Sequence, residues 1–247
     1  MIGAIKSILS IIVSAWWCGF ALVCLIISPS SARYTLTTLA KKRWSIPMLK
    51  WIVGMPLEVD IDPAARELLE SGQGAVLVAN HSSFLDINVA FATSPAPIVF
   101  LGKASLRKVP LLGGANARVG TVFVERGNKE SALKAISALD AGLKKGRCVL
   151  IFPEGTRCEK GFEGVRMFKK GGFHLAANAG AAVIPVHFGG VGAWLPKGAF
   201  RITKAGVVTV KYGAPIYSTN VEELRDKCYD AVVALSNEKK KSLTDQL

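Results

Sequence analysis

A long stretch without charge near the N-terminus limits what this chain can fold into more than any other feature. No charged residue occurs from Ser7 to Ala32, and Ile8 to Ile27 is almost continuously apolar. As a helix this stretch would be about 30 Å long, close to the thickness of a bilayer core. It is therefore predicted to enter a membrane. A cleaved signal peptide is the rival interpretation, because Ser30-Ser31-Ala32 is similar to a cleavage site, but the apolar stretch exceeds the usual length of about 7–15 residues.

Basic residues follow that segment and set its expected orientation. Lys6 alone precedes it, whereas those that come soon after it are Arg33, Lys41, Lys42, Arg43 and Lys50. The positive-inside rule then places the rest of the chain in the cytoplasm. We therefore expect the chain at the cytoplasmic face of the cell (inner) membrane, in contact with membrane lipids.

Residues 35–54 mix apolar and basic side chains in the pattern of an interfacial helix. Pro47 is expected to break or kink that helix, because proline lacks a backbone N–H. The two N-terminal helices could form a hairpin in one leaflet, or the first could cross the bilayer, and length alone does not separate these arrangements. The second helix could equally pack onto the rest of the chain.

Beyond residue 55, apolar β-branched runs alternate with helical stretches, without repeats or low-complexity linkers. A capping box from Thr219 to Glu222 opens the last helix, which is expected to run through about Ser236. Such alternation is typical of an α/β fold. We predict a single mixed sheet flanked by helices, with residues 1–55 as a membrane-associated helical unit and 56–247 as the α/β domain. The predicted strands are 74–79, 97–101, 121–125, 148–152, 183–188 and 207–212, and helices are expected after Ser83 and over 129–144 and 168–178.

The formal net charge of +13 on 247 residues indicates acidic partners. Anionic lipid headgroups and phosphate-bearing substrates fit this charge. Nucleic acid is not expected as a partner, because no stacking-aromatic or zinc motif accompanies the basic residues. The five cysteines form no C-x-x-C pair, so they are predicted to be free thiols in a reducing compartment.

One histidine and one aspartate stand five positions apart in the run Asn80-His81-Ser82-Ser83-Phe84-Leu85-Asp86. The run follows a predicted strand, and Ser82 or Ser83 is a suitable N-cap for the helix after it. Within one helix the two side chains would point in different directions. They can meet only if His81 precedes the helix and Asp86 lies in its early turns. The pair fits a general base with its orienting carboxylate, although by itself it also fits a satisfied histidine beside a helix-capping acid.

Two further clusters lie where predicted strands end. Gly120-Thr121-Val122-Phe123-Val124-Glu125-Arg126 and Phe152-Pro153-Glu154-Gly155-Thr156-Arg157 each deliver an arginine to a loop. A guanidinium group suits phosphate because its planar fork binds two oxygens at once. Gly155 permits a turn that aims amide groups at an anion. Each cluster alone also fits an ordinary surface loop.

Together the three clusters resemble the glycerolipid acyltransferase family. Its signatures are an H-x-x-x-x-D pair, a G-x-x-F-[IV]-x-R segment, an F-P-E-G-T-R segment and a later apolar segment centred on proline, matched here by Val183-Ile184-Pro185-Val186. The stretch from Leu101 to Leu106 is similar to the family's lysine-containing segment. The wording of the motifs is most similar to the bacterial enzymes that acylate 1-acyl-sn-glycerol-3-phosphate. One departure is Glu125, where the family often carries aspartate.

The resemblance implies acyl transfer to a hydroxyl group. His81 would remove the proton of the alcohol, and Asp86 would fix the histidine tautomer, so that no acyl-enzyme is required. No metal or cofactor is expected, since the acyl donor, acyl-CoA or acyl carrier protein, is itself a substrate. Backbone N–H groups of residues 81–83 or Lys103 would stabilise the oxyanion, and both stay open. The implied substrate-binding residues are Lys103, Arg126, Glu154, Gly155, Thr156 and Arg157.

The expected reaction acylates the sn-2 hydroxyl of lysophosphatidic acid and gives phosphatidic acid in phospholipid biosynthesis. Acylation of glycerol 3-phosphate or another lysophospholipid would use the same motifs. A non-catalytic, lipid-binding membrane protein is the alternative from a different class, and the intact His81 and Asp86 favour the enzyme. His174 and His187 are predicted to be structural.

Overall fold

The structure is a computed structural model that describes residues 1–125, 129–162 and 164–244. Its helices are α1 (Ile2–Ile27), α2 (Ala32–Tyr34), α3 (Pro63–Glu70), α4 (Asp86–Thr93), α5 (Leu112–Val119), α6 (Lys129–Lys144), α7 (Phe173–Ala179), α8 (Val191–Trp194) and α9 (Val221–Thr244). Helix α2 continues into two wider helical segments, Thr35–Ser45 and Met48–Val53. Short 3-10 turns cover Pro29–Ser31, Ala104–Lys108 and Lys170–Gly172.

Within the described residues, seven strands form one mixed sheet. They are β1 (Leu57–Ile61), β2 (Val76–Ala79), β3 (Ile98–Lys103), β4 (Val122–Val124), β5 (Cys148–Ile151), β6 (Val183–Gly189) and β7 (Val208–Tyr212). Their order across the sheet is β1-β7-β6-β2-β5-β3-β4, and every pairing is parallel except that of β6 with β7. The predicted α/β class and the single mixed sheet are confirmed.

Helices cover both faces of the sheet, because residues of the central strands are buried on both sides. In β2, Leu77 belongs to a core cluster shared with α3 and α4, whereas Val76 and Val78 belong to a cluster shared with α6, α7 and α9. A strand buried on both faces reads as a continuous apolar run, which is the sequence pattern of β2 and β5. The carboxyl ends of β2, β3, β4 and β5 lie along one edge of the sheet.

The N-terminal helices pack against this body. Helix α1 is, within the described residues, the one helix long and apolar enough by length and composition to cross a membrane. Its Trp17 stacks on Trp44, with ring centroids 6.0 Å apart, and Lys6 Nζ donates to the carbonyl of Val53 at 2.6 Å. Met48 is buried in the core beside the sheet, so part of the second helix packs onto the domain, as one of the open alternatives for residues 35–54 expected. The division of the chain at residue 55 stays a prediction.

Pro47 does not break the second helix, although a break was one of the two outcomes expected. Its backbone is helical, with φ −59° and ψ −41°. The surrounding turns are wide: the N–H of Ile46 donates to the carbonyl of Lys41, five residues back, and that of Gly54 to Leu49. In ordinary helix the proline ring clashes with the carbonyl four residues back. A five-residue spacing moves that carbonyl away, which accounts for the unbroken helix.

Three helices have boundaries that differ from the sequence prediction. Helix α4 begins at Asp86 rather than directly after Ser83, because residues 84–85 form a turn. The cap of α9 is Asn220, whose Oδ1 accepts from the N–H of Glu223 at 3.0 Å, one position beyond the predicted box, and α9 runs on to Thr244. In the third case, residues 168–169 precede the helical turn that leads into α7.

Candidate active site

His81 and Asp86 meet at the carboxyl end of β2, as their spacing predicted. His81 Nδ1 lies 2.7 Å from Asp86 Oδ2, and the side chains are 19% and 0% exposed. A buried carboxylate accepts, so Nδ1 carries the hydrogen and donates to it. The free Nε2 is then the basic nitrogen, which is the tautomer a general base requires.

The loop around His81 folds onto the Asp86 carboxylate. Oδ2 also accepts the N–H groups of Ser82 at 2.8 Å and Ser83 at 2.9 Å, and Asp86 is the first residue of α4, where the helix dipole favours an anion. The expectation that amides of residues 81–83 stabilise an oxyanion is wrong. All three are used inside the protein, since the N–H of His81 donates to Glu154 Oε1 at 3.0 Å. Of the two predicted sources of oxyanion stabilisation, Lys103 therefore remains.

Phe152, at the end of β5, packs on the imidazole ring. The two ring centroids are 4.1 Å apart and the planes differ by 16°, so the rings are stacked. The Asp86 bond fixes rotation of the ring from one edge, and the stack fixes its plane. Sequence reasoning treated Phe152 only as the end of a strand, because its contact with His81 joins residues from two different strands.

A cavity of about 690 Å³ opens beside His81. It runs from β2 past the carboxyl ends of β5, β3 and β4 toward the edge of the sheet. Its lining is mainly apolar and includes two lysines. The apolar lining residues include Phe100, Leu101, Leu112, Phe123, Leu139 and Leu175, and the lysines are Lys103 and Lys169. An apolar cavity of this size suits a hydrocarbon chain.

Arg157 lies beside this cavity, held by an aromatic ring. Its guanidinium carbon is 3.7 Å from the centroid of the Phe84 ring, a cation–π contact. Phe84 is 61% exposed and also lines the cavity. Gly155 has φ +72°, a left-handed conformation that glycine adopts without strain, and Thr156 is half-buried next to it.

Lys169 is a basic residue of the site that sequence reasoning did not single out. A Cβ on Gly155 would lie 3.0 Å from Lys169 Nζ, so the lysine side chain extends across that glycine. Its backbone N–H donates to the carbonyl of Pro153 at 2.9 Å. The sequence feature that could have indicated Lys169 is the run Lys169-Lys170-Gly171-Gly172 ahead of a helix. Two lysines there precede two glycines, which allow the backbone to pack closely.

Glu154, one of the implied substrate-binding residues, does not line the cavity. It is 4% exposed, and its Oε2 accepts from the thiol of Cys158 at 2.9 Å. Of the remaining predicted residues, Lys103 ends β3 and is exposed at the cavity, and Arg126 lies outside the described residues. Among those that are described, no group of three or more His, Cys, Asp or Glu residues is placed to hold a metal ion.

His187 lies on β6 and does not line the cavity. Burial, with Lys211 nearby, lowers the pKa of His187 to about 4, so the ring is neutral at ordinary pH.

The chain is similar to known acyltransferases in sequence and in fold. A family model described as Acyltransferase matches residues 61–189, just over half of the chain. The chloroplastic 1-acyl-sn-glycerol-3-phosphate acyltransferase LPAT1 of Arabidopsis thaliana is 36% identical over 159 residues, which are 64% of this chain and 44% of that protein. The 1-acyl-sn-glycerol-3-phosphate acyltransferase of Borreliella burgdorferi is 30% identical over 144 residues, 58% of this chain and 55% of that protein. The chain spans about half the length of these curated relatives.

A solved structure shares the fold. The crystal structure of the 1-acyl-sn-glycerophosphate (LPA) acyltransferase PlsC from Thermotoga maritima superposes with a TM-score of 0.78 and 24% sequence identity, over 96% of each chain. The likeness therefore extends through the N-terminal helices as well as the sheet.

Proposed function

Because the chain belongs to the acyltransferase family, we propose that it transfers a fatty acyl group to the sn-2 hydroxyl of 1-acyl-glycerol-3-phosphate, giving phosphatidic acid for phospholipid biosynthesis. The observation that carries this proposal is the His81–Asp86 pair beside a mainly apolar cavity, which His81 lines. The donor is acyl-CoA or acyl carrier protein, and no cofactor takes part.

The mechanism follows from the tautomer of His81. Nε2 accepts the proton of the substrate hydroxyl while that oxygen attacks the thioester carbonyl, and Asp86 stabilises the imidazolium that forms. Collapse of the tetrahedral intermediate expels the thiolate, which takes up the proton. Lys103 supplies the positive charge that stabilises the oxyanion.

The substrate phosphate is proposed to bind near Arg157 and Lys169, and the acyl chain in the cavity. Arg157 offers a planar pair of donors, and its contact with Phe84 reduces the conformational freedom lost on binding. Lys169 adds a second cation across Gly155. His81 and Lys169 line one cavity, and Arg157 lies over Phe84 of the same lining, so the phosphate and the hydroxyl of one substrate can be bound together.

Helix α1 is proposed to lie in one leaflet of the membrane rather than to cross it. Near its start, the backbone of Gly3 contacts Ile202, and Ser7 Oγ accepts the N–H of Ile202 at 3.1 Å. Near its end, Leu25 is buried against the domain. A helix docked along its length cannot span a bilayer without taking the domain with it. Its outward apolar residues, free to contact lipid, include Ile5, Ile8, Ile12, Trp16, Phe20 and Val23.

The test is an acyl-transfer assay on detergent-purified protein. Labelled acyl-CoA or acyl carrier protein is supplied with either lysophosphatidic acid or glycerol 3-phosphate. We expect phosphatidic acid from lysophosphatidic acid, no product from His81→Ala, and normal product from His174→Ala, a matched change at an exposed histidine. Product from glycerol 3-phosphate alone would change the acceptor, and no product with any donor would refute the proposal.

A further inference from the structure

The main chain of His81 is bound on both sides by a single loop that follows β5. The N–H of His81 donates to Glu154 Oε1 at 3.0 Å, and the carbonyl of His81 accepts the N–H of Cys158 at 2.8 Å. The loop thus binds both polar backbone groups of the histidine, 73 residues away in sequence. Asp86 and Phe152 orient the ring, whereas this loop holds the backbone from which the ring projects.

Glu154 and Cys158 are also bound to each other. The Cys158 thiol lies 2.9 Å from Glu154 Oε2, so each carboxylate oxygen has its own donor. Burial, and the neighbouring carboxylate, raise the pKa of Cys158 to about 12, which keeps the thiol protonated and able to donate. Burial also raises the pKa of Glu154, while the bonds from Cys158 and His81 act in the opposite direction.

We propose that Glu154 and Cys158 are positioning residues, which hold the backbone of His81 and do not contact the substrate. This rests on the proposed function of His81 as the base. The resemblance implied instead that Glu154 takes part in substrate binding by positioning the phosphate site. The carboxylate is buried, both of its oxygens are occupied, and an anion would repel the substrate phosphate. Displacement of a reacting group by about 1 Å can cost about 10²-fold in rate, so the backbone contact matters for turnover.

Kinetics separate the two roles. Glu154→Gln keeps size and one acceptor oxygen, but its other end is an NH₂ donor that must face either the His81 N–H or the Cys158 thiol. We expect kcat to fall by roughly 10- to 100-fold, with KM for lysophosphatidic acid changed less than twofold. A raised KM with unchanged kcat would assign Glu154 to the substrate and overturn the proposal.

Cysteine substitutions provide the matched series. Cys158→Ala removes the donor and should lower kcat, whereas Cys158→Ser keeps a donor and should restore most of the rate. Cys228→Ala is the control, because Cys228 is a fully buried cysteine on a different element, α9, and should leave kcat unchanged. Equal rates for Cys158→Ala and Cys158→Ser would overturn the role of the thiol.

Amide hydrogen exchange tests the backbone contact without any activity. Exchange at the amides of His81 and Cys158 should be faster in Glu154→Ala than in the unmutated protein, with Glu154→Gln intermediate. Unchanged exchange at both amides in a folded variant would refute the contact. If the unmutated protein transferred no acyl group, the proposed function would fail, and the exchange result would still decide whether the loop holds His81.

Discussion

Asp86→Asn is the substitution whose effect the hydrogen bonds of the site define most closely. Oδ2 accepts three N–H groups, from His81, Ser82 and Ser83, whereas Oδ1 has the Ser82 hydroxyl at 3.4 Å. An introduced asparagine will place its oxygen where Oδ2 stood, because the opposite orientation sets an NH₂ donor against two backbone donors. The histidine then keeps the tautomer that leaves Nε2 free.

The rate loss follows from this orientation. A wrong tautomer costs about 10⁴-fold in triads of this kind, but here only the charge of the acceptor is lost. A hydrogen bond to a charged group contributes about 1.5–3 kcal/mol, and about 1.4 kcal/mol corresponds to a tenfold change in rate. We therefore expect kcat to fall by roughly 10- to 150-fold.

The assay is steady-state acyl transfer at saturating lysophosphatidic acid, with thermal unfolding as a check that the fold persists. Ser82→Ala is the matched control, because it removes the long contact to Oδ1 and should change kcat less than threefold. A loss near 10⁴-fold for Asp86→Asn would mean that the amide turns around and the tautomer changes. A loss below threefold would mean that the carboxylate charge does not assist the base.

Two further predictions concern the residues proposed to bind the substrate phosphate and the buried carboxyl group of Glu154. Arg157→Ala should raise KM for lysophosphatidic acid at least tenfold with little change in kcat, and Phe84→Leu should raise it only about two- to fivefold, since an exposed cation–π contact is worth about 0.5–1 kcal/mol. Phe162→Leu is the control, because it alters a longer cation–π contact, 5.5 Å, with Arg166. An unchanged KM in Arg157→Ala would exclude the contact between Arg157 and the substrate phosphate. Burial raises the pKa of Glu154 in the folded state above its ordinary value of 4.5. Between the ordinary pKa and the raised pKa, the folded state therefore binds more protons than the unfolded state. The free energy of unfolding should therefore fall as pH rises through that window, and Glu154→Gln should show a shallower fall in chemical denaturation; identical slopes would contradict the shift.

Local patterns in the sequence predicted much of the sheet. Helix α6 begins and ends where it was expected, and strands β2, β5 and β6 lie within one or two residues of their predicted bounds. These elements are determined by apolar periodicity and by glycine or proline at their ends. The His81–Asp86 contact was also predictable, because both residues belong to one short run whose geometry is fixed by the start of a helix.

Contacts between distant segments were not predictable in the same way. The Ser82 and Ser83 amides are not free for an oxyanion because the Asp86 carboxylate is oriented to accept both of them. The hydrogen bond between His81 and Glu154 joins residues that follow two different strands. Lys169 reaches the site only because its side chain crosses Gly155. The unbroken helix at Pro47 was not predictable either, because the wide turns around it depend on how the second helix packs, which local propensity does not report.

The contact of Ser7 with Ile202 imposes an order of events during synthesis. The two residues are 195 positions apart, and a ribosome adding about 5–20 residues per second needs roughly 10 to 40 s to make that distance. Throughout that interval α1 lacks its contact with Ile202, and only nearer partners such as Trp44 and Val53 can already be present. The N-terminal end of this apolar helix therefore stays uncovered until late in synthesis, and the domain completes its packing against that end only after residue 202 has been made.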